Sequence, residues 1–347
     1  MPGLEARTPR SRGKRLALVA LLGLMLAPGT CWHETRRPAD WRDGLTLRSM
    51  AAEQPEEWPS SLRLTGLWEL TSRHPDFGGF SALLALPGDR LVAYSDRGAA
   101  LAFTMGDARA LDPHFTLVPP TKLLREGTDI EAATRDPASG RRWLALEQVH
   151  AVARLDDDGV PEAAAFPPAM QQWPANGAAE AMLRLPDGRF LILGESAGSL
   201  SPKPGPGLLF DGDPVNGAKA TFFGFATPFA HHPTDMALLP DGRVLILLRR
   251  LDAGVPPLRA LLVVADPAAI RAGEPWPWTG LVELSPPLPR DNYEGMATAP
   301  TADGGADIWI ISDDNKASLQ RTLLVRLHWR APGRNEKSAR GRPRAPD

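Results

Sequence analysis

A strand–turn–strand pattern recurs along this chain at intervals close to 50 residues, and it constrains the fold more than any other feature of the sequence. Each copy begins with a polar or acidic residue, continues through a short apolar run and a turn rich in Pro, Gly and Asp, and ends with a strongly apolar strand. The copies occupy residues 80–96, 130–147, 179–196, 234–250 and 293–314. Anchored on Ser81, Glu131, Glu180, Asp235 and Glu294, they are spaced by 50, 49, 55 and 59 residues. A repeat of this length, built from strands, is typical of the blades of a β-propeller.

The turns and runs inside each copy indicate hairpins rather than helices. Pro-Asp-Gly-Arg occurs at 186–189 and again at 240–243, where Pro presets the turn and Gly accepts a positive backbone φ. The runs that follow, 190–193 and 244–248, are continuously apolar without helical spacing, which predicts inner strands buried on both faces. A doubly wound α/β fold would need an amphipathic helix after each strand, and the sequence shows none. We therefore predict an all-β fold, a single β-propeller.

The number of blades depends on how the ends of the chain are used. Five copies of the pattern are visible, and a sixth blade could combine residues 62–70 with the last apolar run, 322–327. Pairing the two chain ends in this way would close the ring and leave no exposed sheet edge. We predict six blades, with five as the alternative.

The N-terminus has the pattern of an export signal. Five Lys and Arg residues lie within residues 7–15, and residues 16–27 form an uncharged apolar run too short to span a bilayer. Small residues at 27–29 favour cleavage after Gly29, which predicts a signal peptide at 1–29 and a periplasmic or secreted protein. A lipid anchor on Cys31 is the alternative. That residue is the single cysteine of the chain, so no internal disulfide can form.

Charge is segregated along the chain. We expect residues 30–61 to form a linker, 62–329 the propeller, and the basic segment 330–347 a disordered tail. The body between the signal and the tail holds 28 Lys and Arg against 38 Asp and Glu. Such a surface repels the phosphates of nucleic acids and favours cations. We therefore expect no nucleic-acid partner, no integral membrane span in the mature chain, and a monomer.

The acidic anchors are candidate metal ligands. If each lies at the start of an inner strand, rotational repetition gathers Glu131, Glu180, Asp235 and Glu294 at one mouth of the central channel, with Asp129 and Asp291 nearby. Carboxylates that face a narrow channel repel one another unless a cation joins them. Calcium takes six to eight oxygen ligands, so the pattern predicts a calcium site. The alternative is that these residues cap turns or pair with arginines in each blade.

A second set of polar residues follows the strongly apolar strand of each copy. It includes Arg97 and Arg249, which could bind an anionic group in bidentate fashion, and Asp313 and Asp314, which could add ligands or position water. A phosphate ester needs both kinds of residue, because a cation activates water while guanidinium groups take up developing charge. Salt bridges between adjacent blades are the alternative. A serine triad is weakly supported, since 194–198 only approximates a nucleophile elbow.

Several of these segments together resemble a known family. Residues 95–98 and 185–189, and above all 291–296 followed by 311–315, are similar to the bacterial phytase-like domain family, which is described as having esterase-like activity. The resemblance covers roughly residues 62–328. It implies an exported propeller related to the β-propeller phytases and, by that analogy, calcium-assisted hydrolysis of phosphomonoesters.

These observations predict an exported hydrolase of small anionic esters, with phosphomonoesters as the favoured substrates and calcium held at the channel. The alternative is a noncatalytic propeller that binds a ligand or a cell-envelope partner through the same mouth. A quinone-dependent oxidoreductase ranks last, because no histidine or arginine pattern could be assigned to that cofactor.

Overall fold

The described residues of the computed structural model form strands joined by short turns. They are residues 39–106, 109–118, 129–173, 177–195, 204–228, 230–253, 256–284, 286–317 and 320–331. The expected signal peptide, Cys31 and nearly all of the expected basic tail lie outside them. Within these ranges the helical segments are three short 3-10 turns, and none is long and apolar enough to cross a membrane.

The strands are numbered in chain order. They are β1 (Thr46–Ser49), β2 (Leu62–Thr71), β3 (Phe80–Leu86), β4 (Arg90–Ser95), β5 (Ala99–Met105), β6 (Ala110–Leu117), β7 (Ile130–Arg135), β8 (Arg142–Leu146), β9 (Ala151–Leu155), β10 (Pro161–Ala165), β11 (Ala179–Arg184), β12 (Phe190–Gly194), β13 (Gly205–Phe210), β14 (Ala220–Phe225), β15 (His231–Leu238), β16 (Val244–Leu251), β17 (Leu258–Ala265), β18 (Trp278–Leu284), β19 (Tyr293–Pro300), β20 (Ala306–Ser312) and β21 (Thr322–Trp329).

These strands form five antiparallel sheets, which are the blades. Blades 1 to 4 are consecutive four-stranded meanders: β3 to β6, β7 to β10, β11 to β14, and β15 to β18. Blade 5 has five strands in the order β19, β20, β21, β2, β1. The first strand of each blade contacts the first strand of the next, and β19 contacts β3. The inner strands therefore form a closed ring, and the β-propeller prediction is confirmed.

The six-blade prediction is wrong, because both chain ends enter the same blade. Strand β2 pairs with β21 from Leu62 opposite Trp329 to Leu70 opposite Thr322. Strand β21 also pairs with β20, which belongs to the last sequence copy. The predicted pairing of the two ends is thus present, but it completes blade 5 with an N-terminal strand. Five copies of the repeat make five blades.

The core lies between neighbouring blades. All residues of β12 and β20 are buried, as are Val244 to Leu248 of β16, which confirms the predicted burial of the runs 190–193 and 244–248. These strands are, however, the second of their blades, and the innermost strands are β3, β7, β11, β15 and β19. Between blades 5 and 1, for example, Phe80 and Leu83 pack in one cluster with Trp309 and Ile311. Each large apolar side chain that is fully buried contributes about 1.5–3 kcal/mol, so the interfaces between blades dominate stability.

Every inner strand contains one unpaired residue at the same place. The register shifts across Ser81, Glu131, Glu180, Thr234 and Glu294, each of which is an extra residue opposite one residue of the next strand. In blade 4 this residue is Thr234, so the sequence alignment that placed Asp235 beside the three glutamates was displaced by one position. A β-bulge of this kind turns its side chain away from the regular alternation.

Asp235 therefore occupies the position that follows the bulge. Its carboxylate is fully buried and accepts hydrogen bonds from the backbone N–H groups of Met236, at 2.8 Å, and Met296, at 2.7 Å. It joins the inner strand of blade 4 to that of blade 5. The corresponding residues of the other blades are small: Ala82, Ala132, Ala181 and Gly295.

Gly295 lies where the inner strand of blade 5 packs closely against that of blade 1. A Cβ at this position would lie 2.8 Å from Ile311 Cγ2, 2.9 Å from the backbone carbon of Ala82 and 3.0 Å from the backbone nitrogen of Leu83. We expect Gly295→Ala to lower the free energy of unfolding by about 1–3 kcal/mol, because backbone on the neighbouring blade cannot move aside cheaply. Gly280→Ala is the matched control, since a Cβ there meets nothing within 4 Å. Urea unfolding that shows equal stability for the two variants would contradict this close packing.

Candidate functional site

The five bulges place one side chain from each blade at the same end of the channel. In blades 2, 3 and 5 that side chain is Glu131, Glu180 or Glu294. In blades 1 and 4 it is a hydroxyl: Ser81 donates to the carbonyl of Ile130, and Thr234 lies 3.4 Å from the carbonyl oxygen of Tyr293. Each of these carbonyls belongs to the residue just before the next bulge. The two hydroxyls thus bond to backbone carbonyls of the next blade, while the three glutamates are the ionisable groups of this ring.

Burial and mutual repulsion disfavour ionisation of the three glutamates. Burial, followed by the charges of Glu180 and Glu294, raises the pKa of Glu131 to about 11. Burial also raises the pKa of Glu180 well above its ordinary value, and the carboxylates of Glu147 and Glu195 raise it further. The three predicted glutamate ligands are therefore close enough to repel one another, and this is the convergence that the repeat predicted.

A second ring of ionisable residues lies one step further toward the mouth. In four blades such a residue follows the second strand, and its backbone N–H donates to the carbonyl of a residue that precedes the first strand. The pairs are Asp96 with Gly79, Glu147 with Asp129, Glu195 with Gly177 and Asp313 with Asn292. In blade 4 the corresponding residue is Arg249, opposite His232. This ring therefore holds four carboxylates and one guanidinium, and it includes Arg249 and Asp313 of the second polar set named in the sequence.

Three carboxylates of blade 2 form the tightest group. One oxygen from each of Asp129, Glu131 and Glu147 lies within 4.8 Å of the others. Glu147 also accepts hydrogen bonds from the backbone N–H groups of Gly177 and, at 3.3 Å, Ala178. Burial, opposed in part by Gln148 and assisted by the charge of Glu147, raises the pKa of Asp129. These oxygens could hold a metal ion, and two of the three ligands were not among the four acidic anchors.

Arg249 is the cation that faces the glutamates. Its Nη1 donates to Asn292 Oδ1 at 2.8 Å and lies 3.2 Å from Glu294 Oε1. Asn292 in turn donates through Nδ2 to the same oxygen of Glu294 at 2.8 Å. Burial raises the pKa of Glu294, and the charge of Arg249 opposes that rise. Arg249, expected to bind an anionic group, thus lies beside the carboxylate of Glu294.

Asp313 and Asp314 differ in how much of each carboxylate is already used. Burial, then the charge of Glu294, raises the pKa of Asp313 to about 8, although its Oδ1 accepts the N–H of Asn315 at 2.7 Å. Asp314 accepts the N–H of Gly79 at 3.1 Å, that of Lys316 at 2.9 Å and the hydroxyl of Thr322 at 3.0 Å. Asp313 thus belongs to the second ring, while Asp314 binds the blade 5 loop to blade 1.

Two cations lie together at the rim beside blade 1. Arg97 donates to the carbonyl of Gly78 at 2.9 Å, and its side chain is 45% exposed. Lys316 donates to the carbonyl of Pro75 at 3.1 Å, and burial followed by the charge of Arg97 lowers its pKa. The sequence prediction included Arg97 and missed Lys316. The missed residue is placed by a turn in which Asn315 and Lys316 have φ of 45° and 48°, a bend that the residue pattern does not reveal.

The carboxylate of Asp291 is used by its own neighbour and by Arg321. Its carboxylate accepts the N–H of Asn292 at 3.0 Å and lies 3.5 Å from Arg321 Nε. Burial raises its pKa to about 6. It was expected near the acidic anchors, and its carboxylate pairs with the segment that leads into β21.

The fold and the site together define a class: a five-bladed β-propeller with an acidic channel mouth flanked by cations. Within that class, the chain belongs to the phytase-like family, described as esterase-like activity of phytase, whose family model matches residues 75–316. The resemblance noted in the sequence is therefore confirmed.

Similar solved structures are distant in sequence. The glutaminyl cyclase of Myxococcus xanthus is 10% identical with a TM-score of 0.46, covering 78% of this chain and 97% of that one. A luciferin-regenerating enzyme is 11% identical with a TM-score of 0.42, covering 77% of this chain and 94% of that one. No curated protein matches the sequence.

The raised carboxyl pKa values predict an inverted pH dependence of stability. Between the ordinary carboxyl pKa near 4 and the values of about 8 for Asp313 and about 11 for Glu131, the folded chain binds more protons than the unfolded chain. Without divalent cations, the free energy of unfolding should rise as pH falls from 8 to 5, by up to about 1.4 kcal/mol per pH unit for each such carboxyl. Urea unfolding in EDTA measures this slope.

Glu131→Gln should make that slope shallower and stabilise the protein at pH 8, because it removes a carboxyl that folding forces to keep its proton. Glu283→Gln is the matched control, since Glu283 lies on β18 in an exposed ion pair with Arg259. A profile that is flat, or identical in the two variants, would contradict the proposed electrostatics.

Proposed function

We propose that the protein hydrolyses phosphomonoesters at the acidic mouth of the propeller, assisted by a calcium ion. The observation that carries the proposal is the approach of Asp129, Glu131 and Glu147 to within 4.8 Å of one another, at the same mouth as Arg249 and Glu294. Membership of a family described by esterase-like activity supports hydrolysis as the reaction class. The choice of phosphate follows from the cations around the carboxylates.

The carboxylate group fits a hard cation. Calcium binds six to eight oxygens at 2.3–2.6 Å, and three carboxylates within 4.8 Å of one another supply such oxygens from one blade. A cation there would offset the repulsion that raises the pKa of Glu131, and Glu180 and Glu294 would add charge from the neighbouring blades. Bound at this place, the cation would polarise a phosphoryl oxygen and lower the pKa of a water molecule. Asp235 has no part in this proposal, because both its oxygens accept backbone N–H groups.

Three cations are placed to bind the anionic group of the ester. Arg97 and Lys316 lie together at the rim, and the exposed half of the Arg97 side chain leaves donors for a ligand. Arg249 lies deeper, where Asn292 and Glu294 hold its guanidinium in place. Guanidinium groups bind phosphate oxygens in bidentate fashion, and fixed donors lose little freedom when they do so.

Asp313 is the residue of this mouth best suited to exchange a proton. A general acid or base works best when its pKa lies near the working pH, and burial beside Glu294 raises the pKa of Asp313 to about 8. Asp314 already accepts three hydrogen bonds from the protein, so it holds the loop that carries Asp313. We propose that Asp313, in its ionised form, accepts the proton of the attacking water, while the leaving alkoxide takes a proton from solvent, and that Asp314 has a positioning role.

Steady-state kinetics test the hydrolase proposal. With calcium present, the wild-type protein should release phosphate from p-nitrophenyl phosphate, and Asp313→Asn should lower kcat by about 10²–10⁴-fold through loss of proton transfer. Glu283→Gln should retain wild-type kinetics, because Glu283 lies on an outer strand away from the mouth. Wild-type turnover of phosphate and carboxylate esters no faster than that of Asp313→Asn, with or without calcium, would reject hydrolysis at this site.

Thermal unfolding tests the cation site separately from the reaction. Calcium at a hundredfold excess over its dissociation constant should stabilise the wild-type fold by about 2.7 kcal/mol. Glu131→Gln should lose most of this stabilisation, because it removes one of the three carboxylates that lie close together in blade 2. Glu283→Gln should keep it. Calcium stabilisation that persists in Glu131→Gln would place the cation elsewhere. Stabilisation without turnover would support instead a noncatalytic, ligand-binding propeller.

A further inference from the structure

A cavity opens at the other end of the channel. It has a volume of about 640 Å³ and is lined by the second half of every inner strand, from Leu83 to Leu91 in blade 1 round to Met296 to Pro300 in blade 5. Ligand sites for small organic molecules have volumes of about 300–1,000 Å³. Along β7, Arg135 lies four positions after Glu131, about 13 Å of extended chain. The charged end of the cavity and the carboxylate group therefore lie toward opposite ends of the strand.

The lining is mainly apolar with a small number of charges. Its apolar side chains include Leu84, Leu86, Leu183, Met236, Leu238 and Met296. The ionisable residues are Asp89, Arg90, Arg135, Asp136 and Arg184, which carry three positive charges against two negative ones. An apolar wall with a net positive charge is complementary to an amphipathic anion.

Arg135 is the charge that the protein itself leaves incompletely paired. Its Nη1 donates to the carbonyl of Ala85 at 3.3 Å, and its buried Nε has no hydrogen-bond partner. In the described part of the chain it forms no ion pair, whereas Arg184 lies 3.3 Å from Asp136 Oδ1. Arg142, directly opposite Arg135 in the β7–β8 ladder, adds a like charge. An anion in the cavity would therefore meet a partly exposed arginine that pairs with no carboxylate in the described part of the chain.

We propose that this cavity binds an amphipathic organic carboxylate, with its apolar body among the leucines and methionines and its carboxylate on Arg135. The direction of charge fits: burial, then the charge of Arg142, lowers the pKa of Arg135, the charge of Asp136 opposes this in part, and a bound anion would favour the charged guanidinium. The site is independent of the proposed hydrolysis, since it uses no residue of the acidic mouth.

Calorimetric titration with decanoate tests the site, with decan-1-ol as the uncharged analogue. The full chain in EDTA should bind one decanoate, and decan-1-ol should bind at least about 10-fold more weakly, because a hydrogen bond to a charged group is worth about 1.5–3 kcal/mol. Arg135→Gln should weaken decanoate binding by a similar factor. Arg48→Gln is the matched control, because Arg48 lies exposed on the outer strand β1 in an ion pair with Glu69, and it should change the affinity less than about twofold.

A second variant keeps the test valid if Arg135→Gln does not fold. Ala299 lines the cavity and is partly exposed, so Ala299→Leu should occupy ligand volume and weaken both probes without removing a charge. The absence of saturable decanoate binding to the wild type would overturn the proposal. Equal binding by Arg135→Gln, or decan-1-ol binding as tight as decanoate binding, would also overturn it.

Discussion

One unpaired residue in each inner strand is the constraint on which the rest of the site depends. The bulge interrupts the alternation of the strand once per blade, and because the five inner strands form a closed ring, the interruptions meet at one end of the channel. Glutamates at three bulges bring charge together there. The hydroxyls of Ser81 and Thr234 bond to the neighbouring inner strand and leave room between those charges.

The approach of three buried glutamates lowers the stability of the fold at the mouth and also creates the proposed cation site. Burial and like charge raise the pKa values of Glu131, Glu180 and Glu294, so the unliganded fold carries an electrostatic penalty that hydrophobic burial between blades offsets. Carboxyl groups with pKa values raised in this way are typical of functional sites, and a cation there would offset the penalty. The outer pairing of β2 with β21 is far from these charges along the sheet, and it closes the ring that holds them.

The two ends of the channel have opposite character. The starts of the inner strands bring carboxylates and the cations beside them, whereas their second halves bring leucines, methionines and an incompletely paired arginine. The same repeated unit produces both ends, because each inner strand runs once along the channel from the acidic end to the apolar end. These opposite characters underlie the two proposals, an anionic ester with a cation at the acidic end and an amphipathic carboxylate at the apolar end.

The sequence by itself determined the strand pattern, the blade repeat and the family. It also predicted that Glu131, Glu180 and Glu294 converge, because hydrophobic periodicity and turn residues are local properties that repeat visibly at fixed intervals. It did not determine the blade count, since an apolar run near each chain end is equally consistent with a blade of its own and with completion of the last one.

Only the tertiary structure decided which neighbouring residue faces the channel. A bulge shifts the register by one position without a signature in the residue pattern, so Asp235 was mistaken for the equivalent of the glutamates and Thr234 was overlooked. Lys316 was missed because its place beside Arg97 comes from a left-handed turn and from contact between the first and last blades. Contacts between residues more than two hundred positions apart depend on how the ring closes, and that is a property of the assembled fold.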